Sequence, residues 1–190
     1  RLRCRCDTFS MKLGIRDECL RCLDELQLQE TDHLLLVSLQ EQVMHHQYKG
    51  RTVKTYVVST SIKPPSCLED SMGTPWGLHR VCEIIGNGQP SGMVFVGRKP
   101  TGRLMGEFAP PQSDGNLITS RILRLEGLQE GLNRGAGRDT FDRFVYLHGT
   151  NHEEKLGSPA SSGCVQVSNK DAIELAASIP LGSLFFISPG

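Results

Sequence analysis

Between residues 64 and 92 proline or glycine interrupts the chain every few positions, at Pro64, Pro65, Gly73, Pro75, Gly77, Gly86, Gly88, Pro90 and Gly92. No helix of ordinary length fits between such breaks, because proline lacks a backbone donor and glycine gives up the most conformational freedom on ordering. Short β-prone pieces such as residues 93–96 lie between turn signals, and this pattern predicts a mainly β core of sandwich or barrel-like form. With 190 residues and 38% hydrophobic content, the chain can bury one substantial core.

Further elements follow from periodicity. Residues 14–29 carry Ile15, Cys19, Cys22, Leu23 and Leu26 at spacings of three and four, which predicts an amphipathic N-terminal helix. Residues 1–31 thus read as a helical appendage and 32–190 as the main domain. From His33 an apolar run, polar alternation, a Lys49-Gly50 turn and a Val/Thr/Tyr-rich stretch predict a β-hairpin. Strands are also expected at 117–125, carrying Arg121 and Arg124, at 144–147 ending on His148, and at 183–188. Ser168 with Asp171 three residues on resembles an N-cap pair, so one helix of about ten residues should follow, stopped by Pro180 and Gly182.

Twenty-one basic and 21 acidic residues cancel, and no basic run with interleaved aromatics marks a nucleic-acid surface. The longest apolar runs, 34–37 and 184–187, are far shorter than the roughly 20 residues of a membrane span. The leading RLRCRC has none of the architecture of a secretory signal. Seven cysteines is an odd number, so at least one is a free thiol, metal-bound or paired between chains.

The segment 146–169, YLHGTNHEEKLGSPASSGCVQVSN, carries the chemistry. His148 at a strand end is followed 16 residues on by Cys164 in a Ser-Ser-Gly-Cys turn leading to a helix. A free thiol with a pKa of about 8.5 is only slightly ionised at neutral pH; an imidazole can take its proton and later return it to a leaving amine. Gly163 permits close backbone approach, making its amide and that of Cys164 candidate oxyanion donors, each worth roughly 3 to 4 kcal/mol in acyl transfer. The alternative is a small buried cysteine and a satisfied core histidine.

The segment resembles the active-site motif of the YkuD-type L,D-transpeptidases: His148-Gly149, then Ser161, Gly163-Cys164, Val165 and Asn169, with residues 73–77 (Gly-Thr-Pro-Trp-Gly) similar to an upstream family element. The resemblance covers residues 33–188. It implies that Cys164 is the nucleophile, His148 its base and the Gly149 carbonyl the group that orients the imidazole. It implies attack on peptidoglycan tetrapeptide stems, loss of the terminal D-alanine and a thioacyl-enzyme resolved by an amine (3→3 cross-linking) or by water (L,D-carboxypeptidase trimming). It also implies acylation by carbapenems, a periplasmic or cell-wall-associated location and, in some relatives, a cell-wall-anchored lipoprotein partner; it implies no cofactor. The alternative of another class is a hydrolase or a peptidoglycan- or lipoprotein-docking module on the same fold without transpeptidation.

This chain has Ser162 where the family often has histidine, and Gln166 where it usually has arginine. Losing that charge weakens carboxylate recognition unless another cation supplies it; Arg124 and Arg121 are the candidates. Gly163, Ser162, Ser161, Tyr146, Gln166 and Arg124 make up the expected substrate-binding set. Tyr146 lies on the same strand face as His148. By the resemblance Trp76 and His79 stand near the strand that borders the cleft, with a core position the alternative for Trp76, and His152 is a solvated loop residue or a contact at the pocket rim. His148, His152 and Cys164 also suit zinc but lack a fourth ligand, so no metal site is assigned. Cys4, Cys6, Cys19 and Cys22 suit either zinc or disulfides and free structural thiols, and Cys67 with Cys82 either a bridge or inert thiols.

Overall fold

The computed structural model describes residues 14–190, so readings that rest on Cys4 and Cys6 lie outside the described residues. The chain order is α1 (Ile15–Glu25), β1 (His33–Ser38), β2 (Val43–Tyr48), β3 (Arg51–Val57), β4 (Gly77–Ile85), β5 (Met93–Val96), β6 (Lys99–Leu104), β7 (Ile118–Gly127), β8 (Tyr146–Thr150), β9 (Val165–Val167), α2 (Asn169–Ser178) and β10 (Leu184–Ser188). The strands form one sheet ordered β3-β2-β1-β10-β4-β7-β5-β6, with β8 branching from β7 and β9 pairing β8. It is mainly β, as the turn spacing predicts, but it does not close into a barrel. The segment after β3 reaches the β9 side through isolated bridges, Ser59 to Gln166 and Ser61 to Ser161.

Two strands buried on both faces explain the two apolar runs in the sequence. β1 and β10 pair in parallel at the centre, Leu34 beside Leu184 through Val37 beside Ile187, and such strands read as continuous rather than alternating hydrophobic segments. Leu34, Leu36, Leu184 and Phe186 pack with Cys19, Cys22 and Leu23 of α1. Leu35, Val37, Phe185 and Ile187 point the other way, into the main core with Leu123, Leu147, Val165, Ala172 and Leu175 of α2. The two helices therefore cover opposite faces of the sheet.

The predicted hairpin after His33 is a three-stranded meander. β1 turns into β2 through residues 39–42 before the Lys49-Gly50 turn, which has positive φ at both positions, 49° and 76°. α1 ends at Glu25, short of the predicted 29, and Gln27 adopts a left-handed conformation. α2 is the predicted ten-residue helix, with Ser168 Oγ accepting the Asp171 amide. Among the described residues no helix is long and apolar enough to cross a membrane.

Candidate active site

β8 lies between β7, antiparallel, and β9, parallel, and all five of its residues are buried. The strand does not end at His148 but runs on to Thr150, because His148 and Gly149 still pair with Ile122 and Thr119 of β7. The parallel register sets Leu147 beside Val165 and His148 beside Gln166. Val145, Leu147, Val165 and Val167 enter the core. By the two-residue alternation of strands, Tyr146, His148, Cys164 and Gln166 turn to the opposite face. Cys164 accordingly packs against the cluster of Met93, Phe95, Ile122 and Tyr146.

His148 is 2% exposed, and its Nδ1 lies 2.7 Å from the carbonyl oxygen of Gly149. A carbonyl can only accept, so Nδ1 carries the proton and Nε2 presents its lone pair. Burial holds the imidazole pKa down to about 4, against a smaller upward pull from the Gly149 carbonyl, so the ring is neutral at physiological pH. Gly149 can be nothing larger: a Cβ would stand 2.8 Å from the Thr119 carbonyl and 2.9 Å from Asn169 Oδ1.

Asn169, at the start of α2, clasps this end of the site. Its Oδ1 accepts from the hydroxyls of Thr119 and Ser120, and its Nδ2 donates to the Thr150 carbonyl (2.9 Å) and Glu153 Oε1 (2.8 Å).

The turn before Cys164 is locked by Ser161, which is 1% exposed. The Ser161 hydroxyl donates to the Cys164 carbonyl (2.6 Å) and accepts the Gly163 amide (3.2 Å). The Gly163 amide is thereby engaged within the turn. Gly163 has φ +126°, and the Cβ it lacks would face the carbonyls of Met72 and Gly73, so these two residues stand behind the cysteine loop. The Cys164 thiol receives the Tyr146 amide at 3.4 Å and lies 3.6 Å from the Phe144 carbonyl, to which it can donate. Its hydrogen bonds among the described residues do not reach His148. Burial pushes the thiol pKa up to about 11, against lowering by the Tyr146 amide and the Arg143 charge.

Cys164 opens into a pocket of about 250 Å³ lined by Ser162, Gly163, Phe144, Arg143 and Met72, with Glu69, Asp70 and Asp142 at its rim. Arg143 was not singled out by sequence. It donates to the carbonyls of Ser66 (3.0 Å) and Gly73 (2.8 Å) and to Ser71 Oγ (3.3 Å). A charged residue at the edge of an otherwise apolar strand, five positions before His148, was its available signal.

The other sequence candidates are not among the residues that line this pocket. Arg124 is 7% exposed, stacked 3.3 Å above the Phe141 ring, bonded to the Phe141 carbonyl and paired with Glu83. Arg121 donates to the carbonyls of Gln89 and Ser120. Gln166 is buried beside His148, its backbone paired with Ser59. The Tyr146 ring sits next to Cys164, and its hydroxyl accepts from Arg98 at 3.2 Å. Trp76 and His79 do not border the cleft: Trp76 packs on the main core, and His79 is fully buried between the Gly77 carbonyl and Thr140. His152 contacts Glu154 and the Asp114 carbonyl. Cys19, Cys22, Cys67 and Cys82 are free thiols. Among the described residues no group of three or more His, Cys, Asp or Glu side chains is arranged to hold a metal ion.

The open sheet carries the carbonyl-oriented histidine on β8 and the cysteine in the turn that leads into β9, and its mainly β fold is of the L,D-transpeptidase type. Residues 32–187 match the YkuD family, L,D-transpeptidase catalytic domain, and the chain belongs to that family. Two Bacillus proteins bearing the name L,D-transpeptidase YkuD are similar over short stretches. The one from Bacillus licheniformis is 40% identical over 43 residues, 23% of this chain and 26% of its own length. The one from Bacillus subtilis is 46% identical over 37 residues, 20% of this chain and 23% of its own length. The matched stretch thus spans about a quarter of these curated relatives. Among solved structures, an L,D-transpeptidase in complex with imipenem superposes with a TM-score of 0.52 at 16% identity, covering 83% of this chain and 59% of that one. L,D-transpeptidase 3 of Mycobacterium tuberculosis, with a faropenem-derived adduct, gives 0.51 at 13% identity, covering 83% and 60%. These likenesses bear on the fold.

Proposed function

We propose that the chain catalyses acyl transfer on peptidoglycan tetrapeptide stems through a thioacyl-enzyme on Cys164, with His148 as general base. The observation that carries this reading is the 2.7 Å contact of His148 Nδ1 with the Gly149 carbonyl, which leaves Nε2 as a proton acceptor on the strand face shared with Cys164. At rest both groups are neutral: burial keeps the imidazole unprotonated and the thiol protonated. The thiol proton therefore moves to Nε2 as Sγ attacks the stem carbonyl, rather than from a standing ion pair, and catalytic hydrogen bonds that are loose in a free enzyme tighten in the substrate complex.

The C–N bond to the terminal D-alanine breaks, and the imidazolium proton leaves with its amine. The thioester is then opened by an acceptor amine, forming an amide cross-link, or by water, and Cys164 recovers its proton. The Cys164 amide is the oxyanion donor left at the turn, since the Gly163 amide is bonded to Ser161. Acidic side chains at the rim, Glu69, Asp70 and Asp142, suit an approaching ammonium. Substrates of this kind place the working protein outside the cytoplasm, and a stem attached to a wall-anchored lipoprotein fits the same chemistry.

Incubating purified muropeptide tetrapeptides with the chain and with Cys164→Ala, followed by mass spectrometry, tests the proposal. D-Alanine loss in the wild type alone supports it, and a dimer product tells cross-linking from trimming. The absence of a Cys164–His148 hydrogen bond at rest favours one other reading, a stem-peptide docking module without turnover, which binds the tetrapeptide and leaves it intact.

A further inference from the structure

Arg143 is a cation held without a counter-ion. Its three hydrogen bonds go to neutral acceptors, the carbonyls of Ser66 and Gly73 and the hydroxyl of Ser71, and among the described residues no carboxylate comes within salt-bridge distance of it. A partly desolvated charge whose hydrogen bonds go only to dipoles is costly, and that cost falls when an anion forms nearby; the ionisable groups it faces are the Cys67 and Cys164 thiols and Glu69, and Cys67 is a buried thiol outside the pocket lining. Arg143 lines the same small pocket as Cys164. Gln166, where the family usually has arginine, brings no charge to this site.

We infer that Arg143 is the charge partner of the Cys164 thiolate, set in place by the loop of residues 66–73 and standing in for the positive charge missing at position 166. The inference rests on Cys164 being the reacting thiol. When the thiol gives its proton to His148, the sulfur becomes an anion in a pocket whose other near charges, Glu69, Asp70 and Asp142 at the rim, oppose it. The polar groups bonded to the thiol, the Tyr146 amide and the Phe144 carbonyl, carry no net charge. Arg98 and Arg124 both stand over the Phe144 ring and are engaged elsewhere, Arg98 with the Tyr146 hydroxyl and Arg124 with the Phe141 carbonyl and Glu83. The same guanidinium also ties the Gly73 carbonyl, which backs Gly163, so one residue both shapes the cysteine turn and supplies its charge.

The test is iodoacetamide labelling of Cys164, read by peptide mass spectrometry across pH, in the wild type, Arg143→Lys and Arg143→Gln, with near-ultraviolet circular dichroism confirming each fold. For Arg143→Gln the labelling profile is expected to move up by about one pH unit, making the reaction about tenfold slower at pH 8. Arg143→Lys, which keeps the charge but cannot form the three-point fork, is expected to follow the wild type. Were Arg143 only a loop anchor, the lysine variant would suffer as the glutamine variant does and neither profile would shift in pH; that result overturns the inference. If the glutamine variant fails to fold, a folded lysine variant with a raised profile overturns it equally. Labelling needs no acyl acceptor, so this outcome is independent of whether muropeptides are turned over.

Discussion

Gly149 and His148 are adjacent in sequence and joined a second time through space, the carbonyl oxygen of Gly149 lying 2.7 Å from Nδ1 of His148. The bond exists because Gly149 lacks a side chain: Thr119 and Asn169 occupy the space a Cβ would need. Gly149→Ala is therefore expected to destabilise the fold by about 1–3 kcal/mol, the usual cost of overpacking, and to slow any His148-dependent reaction beyond what the lost stability explains. Urea denaturation and muropeptide turnover, measured side by side, check both parts; wild-type values for both would remove the carbonyl from the account.

The Cys164 thiol is expected to ionise late. With its pKa near 11, alkylation of Cys164 should climb about tenfold per pH unit between pH 7 and pH 10 without levelling off. A thiolate already stabilised by imidazolium, as the bare Cys-His motif suggests, would level off below the pKa of free cysteine. Site-resolved labelling with iodoacetamide distinguishes the two curves.

Acid should weaken the fold before most carboxylates titrate. His79 and His148 are buried as neutral rings, with pKa values of about 4 against an ordinary 6.5. The unfolded chain thus binds protons that the folded chain refuses, so the stabilisation is complete above about pH 6.5 and is lost as pH falls toward 4. Each ring contributes on the order of 3 kcal/mol across that window. Urea midpoints that stay constant from pH 7 to pH 4.5 would refute this.

Asn169→Ala should cost about 3 kcal/mol. The change strips the Thr150 carbonyl and Glu153 of a donor and leaves the Thr119 and Ser120 hydroxyls without their acceptor, all but the Glu153 bond in a buried setting. Calorimetric melting would reveal the loss, and it should couple with Gly149→Ala in a double-mutant cycle because the two residues are in contact.

A carbapenem should add its mass to Cys164 in the wild type and to nothing in Cys164→Ser, as whole-protein mass spectrometry can show. Labelling of Cys67 or Cys82 at a comparable rate would count against a distinctive pocket, since burial raises both of those thiols as well.

Features set by neighbours in the chain were legible in the sequence. Ser168 capping α2 through the Asp171 amide, β5 at residues 93–96 and the left-handed Lys49-Gly50 turn each depend on a few adjacent side chains. The His148-Gly149 and Ser161-Gly163-Cys164 motifs were legible as a resemblance to a family pattern, whereas the Ser161 bonds that lock the cysteine turn were not read from the sequence. What no local pattern encodes is which strands meet. That 34–37 and 184–187 pair in parallel, that α1 shares a core with them, and that the sheet stays open are decided by burial between segments more than a hundred residues apart. The same limit hid the site's electrostatics. Arg124 looked like the replacement charge until the fold buried it on Phe141, while Arg143 came to line the Cys164 pocket because its three acceptors lie some seventy residues earlier in the chain. Side-chain chemistry fixes what a residue can do, but only packing fixes what it does it to.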